Sequence, residues 1–150
     1  MGSSLVQNYM HITFSTKNRV PLILPAIENR LFAYLTTLCK DMSCHPIIVG
    51  GYLDHVHLLC MLNKNITLVD LVKKIKACSS IWMKEQDHAL KPFYWQAGYE
   101  AFSVNPTQVD AVTEYIKNQK IHHQTKGYKE EYLAFLNKYQ QAYDERYLWE

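Results

Sequence analysis

HPIIVGGYLDHVHLLCML, residues 45–62, holds two β-rich runs about a short Gly-containing stretch. It reads as an antiparallel hairpin, HPIIVGG pairing with DHVHLLCML. In the second strand (54–61) the side-chain period of two sends Val56, Leu58 and Cys60 one way and His55, His57 and Leu59 the other. The two imidazoles therefore share a face, roughly 6.5–7 Å apart along the backbone. Neutral rings so placed can share one ion.

Elements on either side complete the pattern. YMHITFS (9–15) alternates Met10, Ile12 and Phe14 with His11, Thr13 and Ser15, a half-buried strand. KNRVPLILP is a basic, Pro-bounded loop. From Pro25, the residues Ile27, Leu31, Tyr34, Leu35 and Leu38 recur at helical spacing, which predicts a helix to about Asp41. After the hairpin, Thr67 with Asp70 resembles an N-terminal cap, and Leu68, Leu71, Val72, Ile75 and Trp82 form one apolar stripe with the lysines facing outward. YEAFSV (99–104) predicts a fourth strand, ended by Asn105-Pro106. Thr107 and Asp110 open a third helix through about His123, and YKEEYLAFLNKY predicts a short C-terminal helix. The order β-α-β-β-α-β, then α-α, gives an α+β, ferredoxin-like split βαβ antiparallel sheet. Its helices lie on one face, with extra C-terminal helices. The other face is expected to be free for a ligand or partner, and the simplest choice puts the histidines there.

No repeat, low-complexity tract or Gly/Ser linker divides the 150 residues, so one domain, 1–150, is expected. Hydrophobic content of 48% with 20% charged residues is ordinary globular composition. No apolar run approaches the roughly 18 residues of a membrane span, and MGSSLVQNYM lacks the pattern of a secretory signal. A cytoplasmic protein without membrane contact is expected. Cys39, Cys44, Cys60 and Cys78 form no C-x-x-C pair and read as small buried hydrophobes. The formal charge of +2 says little by itself, but its distribution is uneven. Lys73, Lys74, Lys76 and Lys84 lie on the second helix, and Lys117, Lys120, Lys126 and Lys129 follow with no acid between them.

Two histidines are too few for a tight catalytic metal site. VTEYIKNQKIHHQ (112–124) offers further donors. Tyr115 and Gln119 are i and i+4 on one helix face, with His122 close to the same line, and they border the buried stripe of Val109, Val112 and Ile116. An amide oxygen can serve as a ligand, and a phenol becomes a nucleophile once a cation favours its phenolate. His55, His57, Gln119 and Tyr115 thus have the parts for metal-assisted phosphoryl transfer. At this level H-x-H equally suits satisfied structural histidines, or ligands of a zinc hydrolase or a cupin. Tyr115 also suits packing, and Tyr132, Tyr139, Tyr143 and Tyr147 read as core or interface residues rather than as nucleophiles. His122 and His123 suit a pH-responsive or phosphate-contacting pair, or an exposed helix end.

HITFSTKNR, GGYLDHVHLLC, FYWQAGYEAFSV, YIKNQKIHH, EEYLAFL and DERYLW occur in that order, with Y-x-x-x-Q about 60 residues beyond the histidines. In these blocks the chain resembles the single-tyrosine HUH transposases of the insertion-sequence (IS200-like) type and the related REP-associated tyrosine transposases. Leu53 and Asp54 stand where such sequences often carry Pro before Asp-His, a departure that touches the turn rather than the ligands. The resemblance implies His55, His57 and Gln119 as metal ligands and Tyr115 as the nucleophile. It implies cleavage and rejoining of single-stranded DNA with hairpin ends through a 5′-phosphotyrosine bond, with a 3′-hydroxyl leaving. Mg²⁺ or Mn²⁺ is the implied cofactor. A homodimer is implied, in which the tyrosine helix serves either the histidines of its own subunit or those of the other. Lys73, Lys74 and Lys76 are the candidates for phosphate contacts to the hairpin, and FYW (93–95) suits either base stacking or the core. Two other functions compete with this one. One is a non-catalytic ferredoxin-like nucleic-acid-binding module, and the other is an H-x-H metal hydrolase using activated water.

Overall fold

A computed structural model describes residues 2–123 and 127–138. Tyr139, Tyr143 and Tyr147, with the DERYLW block, lie outside them. Four strands form one antiparallel sheet in the order β2-β3-β1-β4: β1 Tyr9–Ser15, β2 His45–Tyr52, β3 His55–Met61 and β4 Glu100–Val104. Helices α1, Pro25–Asp41, and α2, Leu68–Gln86, are the crossovers of the split βαβ. The expected fold is the observed one.

Alternation decides what each face of the sheet buries. Met10, Ile12 and Phe14 of β1 and Val56, Leu58 and Cys60 of β3 pack with Leu31, Leu35, Leu71, Val72 and Ile75 of α1 and α2 in one core. Cys39, Cys44 and Cys60 are buried thiols within or beside it, as their spacing suggested. Phe93 and Trp95 join this core, whereas Tyr94 is exposed under the Lys84 ammonium, 4.0 Å from the ring centroid. The α2 cap is as expected, Thr67 accepting from the Asp70 N–H at 3.1 Å.

The second face is not open. α3, Val109–Lys117, α4, Gln119–His122, and α5, Tyr128–Lys138, lie over it, with Ile116 against Leu59 and Val104, and Tyr128, Tyr132 and Leu136 in a further cluster. The third helix differs from the sequence expectation at its start and in its middle. Thr107 does not cap it: Asn105 accepts from the Thr107 N–H at 2.9 Å to start a 3-10 turn over Pro106–Gln108, and α3 follows from Gln108 without a side-chain cap. Asn118, at φ −96° and ψ 19°, breaks it into α3 and α4. No helix among the described residues is long and apolar enough to cross a membrane.

Docking of α3 depends on Gly50. A Cβ at this position would lie 2.8 Å from Ile116 Cγ2 and 2.9 Å from the Ile116 carbonyl oxygen. Gly50 also pairs with His57 across β2 and β3, so the bare backbone lets α3 reach the histidine strand. Gly50→Val is expected to cost about 1–3 kcal/mol by overpacking. Gly98→Ala, whose added carbon meets nothing nearer than 3.9 Å, should stay within about 0.5 kcal/mol. Denaturant unfolding of the two variants checks both values.

Candidate metal and nucleophile site

The register puts β3 in the middle of the polar cluster. His55 pairs with Ser15 and Tyr52, and His57 with Thr13 and Gly50. Both histidines point away from the α1/α2 core and are fully buried beneath α3, α4 and α5. Burial pulls the His57 pKa below its ordinary value, which keeps the ring neutral and its lone pair available to a metal.

Neighbouring polar groups fix the rings. Asp54 Oδ1 lies 2.8 Å from His55 Nδ1 and His11 Nε2 lies 2.8 Å from His57 Nδ1. Each contact holds Nδ1 and turns Nε2 toward the interior of the cluster, the arrangement by which carboxylates and other outer groups orient metal-binding imidazoles. His55 Nε2 stands 2.9 Å from Gln119 Oε1, across 64 residues of chain. If Asp54 holds the proton at Nδ1, a neutral His55 presents a lone pair to an amide oxygen. Two acceptors at that distance favour a cation between them.

Tyr115 enters from α3. Its ring lies edge-on to His57 at 5.7 Å between centroids, its hydroxyl is 3.5 Å from His122 Nε2, and its carbonyl accepts from Gln119 Nε2 at 3.4 Å. Tyr115, Gln119, His55 and His57 thus meet within one chain. Burial, reinforced by the Glu131 charge, pushes the Tyr115 phenol well above its usual pKa. Without a compensating cation the hydroxyl keeps its proton.

Two residues of this cluster were not read as ligands from the sequence. Glu131 of α5 places Oε1 2.6 Å from His57 Nε2 and Oε2 2.5 Å from His123 Nε2 and 3.2 Å from His122 Nε2. Although burial opposes it, His123 and His57 hold the Glu131 carboxyl well below the usual carboxylate range. The ligand atoms of His55, His57, His123 and Glu131 all lie within 4.8 Å of one another. His123 Nε2 and both Glu131 oxygens are buried yet in no hydrogen-bond geometry among the described residues. Imidazoles, an amide oxygen and a carboxylate suit a divalent metal. The sequence did carry a trace of Glu131, which falls between Tyr128 and Tyr132 on the buried face of α5.

The candidate DNA-binding lysines do not share one environment. Lys73 and Lys74 are exposed on α2. Lys76 instead donates to the carbonyls of Gln96, Ala97 and Gly98 at 2.9, 3.4 and 2.6 Å and lies over the rings of Phe14 and Tyr99. Its ammonium is turned inward to the 96–98 loop rather than outward as the helical stripe implied. Burial lowers its pKa to about 8. Beside the histidines, a cleft of about 260 Å³ is lined by Arg19, Tyr52, Asp54, His123 and Tyr128, among others.

Glu100, opposite Thr13 on β4, is a second buried carboxyl. Burial and then the Glu131 charge raise its pKa to about 9. Between its ordinary value near 4.5 and about 9 the folded chain holds this proton and the unfolded chain releases it. Stability is therefore lost as pH rises through that window. Glu100→Gln is expected to raise the thermal midpoint of metal-free protein at pH 8 and to flatten its fall between pH 5 and 9, measured by melting at stepped pH.

Residues 4–119 match the family described as "Transposase IS200 like". Among solved structures, the chain is similar to a protein of Deinococcus radiodurans R1 provisionally assigned as a transposase. That match has 21% identity and a TM-score of 0.62, over 79% of this chain and 96% of the other. It is also similar to a REP-associated tyrosine transposase solved bound to a REP hairpin. There the identity is 15% and the TM-score 0.61, over 82% of this chain and 73% of the other. At these identities the two likenesses carry the fold. No curated protein matches the chain.

Proposed function

The chain belongs to the IS200-like transposase family, and on that premise we propose that it cleaves and rejoins hairpin-flanked single-stranded DNA through a 5′-phosphotyrosine intermediate. The observation that carries this reading is the meeting of Tyr115 and Gln119 with His55 and His57 on the second face of the sheet. The hairpin seen with the REP-associated transposase supports the same class of substrate.

His55, His57 and Gln119 would hold a divalent ion, Mg²⁺ or Mn²⁺. Once bound, it supplies Lewis-acid polarisation of a phosphate oxygen and positive charge that favours the Tyr115 phenolate. Asp54 and His11 keep the two imidazoles oriented. Tyr115 Oη attacks phosphorus, the bond to the 3′-oxygen breaks, and that oxygen leaves as a hydroxyl after taking up a proton. The phosphate stays on the tyrosine, so bond energy is retained for the joining step. His122, whose Nε2 stands 3.5 Å from the phenol oxygen, would receive the tyrosine proton directly on closer approach or through one water. Arg19, on the wall of the adjoining cleft, provides positive charge where a DNA backbone would enter. Exposed Lys73 and Lys74 remain candidates for hairpin phosphates. Because Tyr115 and the histidines meet within one chain, we read the attack as acting in cis.

Incubation of the protein with Mn²⁺ or Mg²⁺ and single-stranded DNA from the flanks of its own gene should give a covalent adduct on a denaturing gel. Tyr115→Phe is expected to abolish the adduct. His57→Ala and Gln119→Ala should reduce it more than about tenfold, the loss that even outer-shell changes at metal sites cause. An adduct formed by the Tyr115→Phe protein would overturn the proposal. Metal-dependent cleavage untouched by Tyr115→Phe would indicate a hydrolase using activated water.

A further inference from the structure

The family match ends at residue 119, whereas Glu131 and His123 lie beyond it and converge on the histidine pair. Resting on the metal site proposed above, we propose that Glu131 and His123 are direct ligands of the same ion as His55 and His57. The donor set is then three imidazoles and a carboxylate, and it selects a transition metal of the Mn²⁺ or Zn²⁺ class over Mg²⁺.

Geometry and burial carry this assignment. The four ligand atoms lie within 4.8 Å of one another, and Glu131 and His57 are 2% and 0% exposed. Desolvating a carboxylate costs several kcal/mol unless charge or hydrogen bonds repay it. Glu131 meets imidazole nitrogens, 2.6 Å from His57 Nε2 and 2.5 and 3.2 Å from those of His123 and His122, yet among the described residues none of these close contacts gives either carboxylate oxygen or His123 Nε2 hydrogen-bond geometry. One cation at the centre would repay all three atoms together. His123 is held for the task, stacked on Tyr52 at 5.8 Å and edge-on to His55 at 4.3 Å between ring centroids. Tyr128, one turn before Glu131 on α5, packs on His55 at 4.8 Å.

The donor chemistry sets the metal preference. Mg²⁺ prefers oxygen ligands and keeps several waters, whereas imidazoles favour Mn²⁺, Zn²⁺ and their neighbours. With Gln119 the protein donors number five, one fewer than an octahedral ion takes, so the set is compatible with one further oxygen ligand. The same ion would tie α5 to the sheet through Glu131.

Metal-stripped full-length protein, titrated with MnCl₂ in the absence of DNA, tests this through the electron paramagnetic resonance signal of free Mn²⁺. One Mn²⁺ should bind and resist a hundredfold excess of Mg²⁺. Glu131→Gln and His123→Ala should each weaken binding more than about tenfold, since even outer-shell changes cost that much. Pulsed resonance on the unmutated protein should show three coupled imidazole nitrogens, a readout that does not depend on the variants folding. Two coupled nitrogens, variants that bind Mn²⁺ as tightly as the parent, or displacement by equimolar Mg²⁺ would overturn the assignment. Because no DNA is present, this outcome is separate from that of the Tyr115 adduct. Adduct formation with only two coupled nitrogens would leave the DNA reaction standing and remove Glu131 and His123 from the metal.

Discussion

The register of β3 is the constraint on which the structure turns. Val56, Leu58 and Cys60 bury against α1 and α2, and that burial commits His55, His57 and Leu59 to the opposite face. A slip of one residue would exchange the two sets, placing imidazoles in the apolar core and aliphatic side chains at the polar site. Hydrophobic burial of one face therefore fixes the chemistry of the other. Pairing on both sides reinforces the register, since β3 is an interior strand held by β1 and β2.

The second face carries a cost that the rest of the chain answers. His11, Thr13, Ser15, His55, His57 and Glu100 are all buried there, and buried polar groups need partners. Asp54, Gln119 and Glu131 supply several of them. The helices that bring Gln119 and Glu131 also exclude water, which strengthens electrostatic interactions within the cluster. Gly50 gives α3 its close approach, and the break at Asn118 lets Tyr115 and Gln119 lie on separate short helices while both face β3. In this way one cover serves both packing and the placement of Tyr115.

Much of this was legible in the sequence, for physical reasons. Strands β1 and β3 alternate cleanly, α1 and α2 carry regular apolar stripes, and Thr67 marks a helix start by its own hydrogen bond. His55, His57, Tyr115 and Gln119 stood out because polar donors in or beside apolar runs are costly unless used. Other features depend on tertiary contacts that no local pattern encodes. Thr107 caps no helix, because Asn105 draws its N–H into a 3-10 turn ahead of α3. Lys76 belongs to the same helix as Lys73 and Lys74 but finds three carbonyls on a loop 20 residues away. Glu131 looked like one acid in a charged segment, and only the docking of α5 brings it to His57 and His123. The expectation of an open sheet face failed for the same reason, because the extra helices were legible but their docking site was not.

At the centre of the account is one site, assembled within a single chain, in which Tyr115 serves the histidines of its own β3. The most direct measurement mixes the His57→Ala and Tyr115→Phe proteins with Mn²⁺ and hairpin DNA from the flanks of the gene. The account predicts no covalent adduct beyond that of either variant alone, because neither chain holds a complete site. Recovery of the adduct in the mixture, on the chain that keeps Tyr115, would show that the tyrosine serves a partner's histidines and would contradict it.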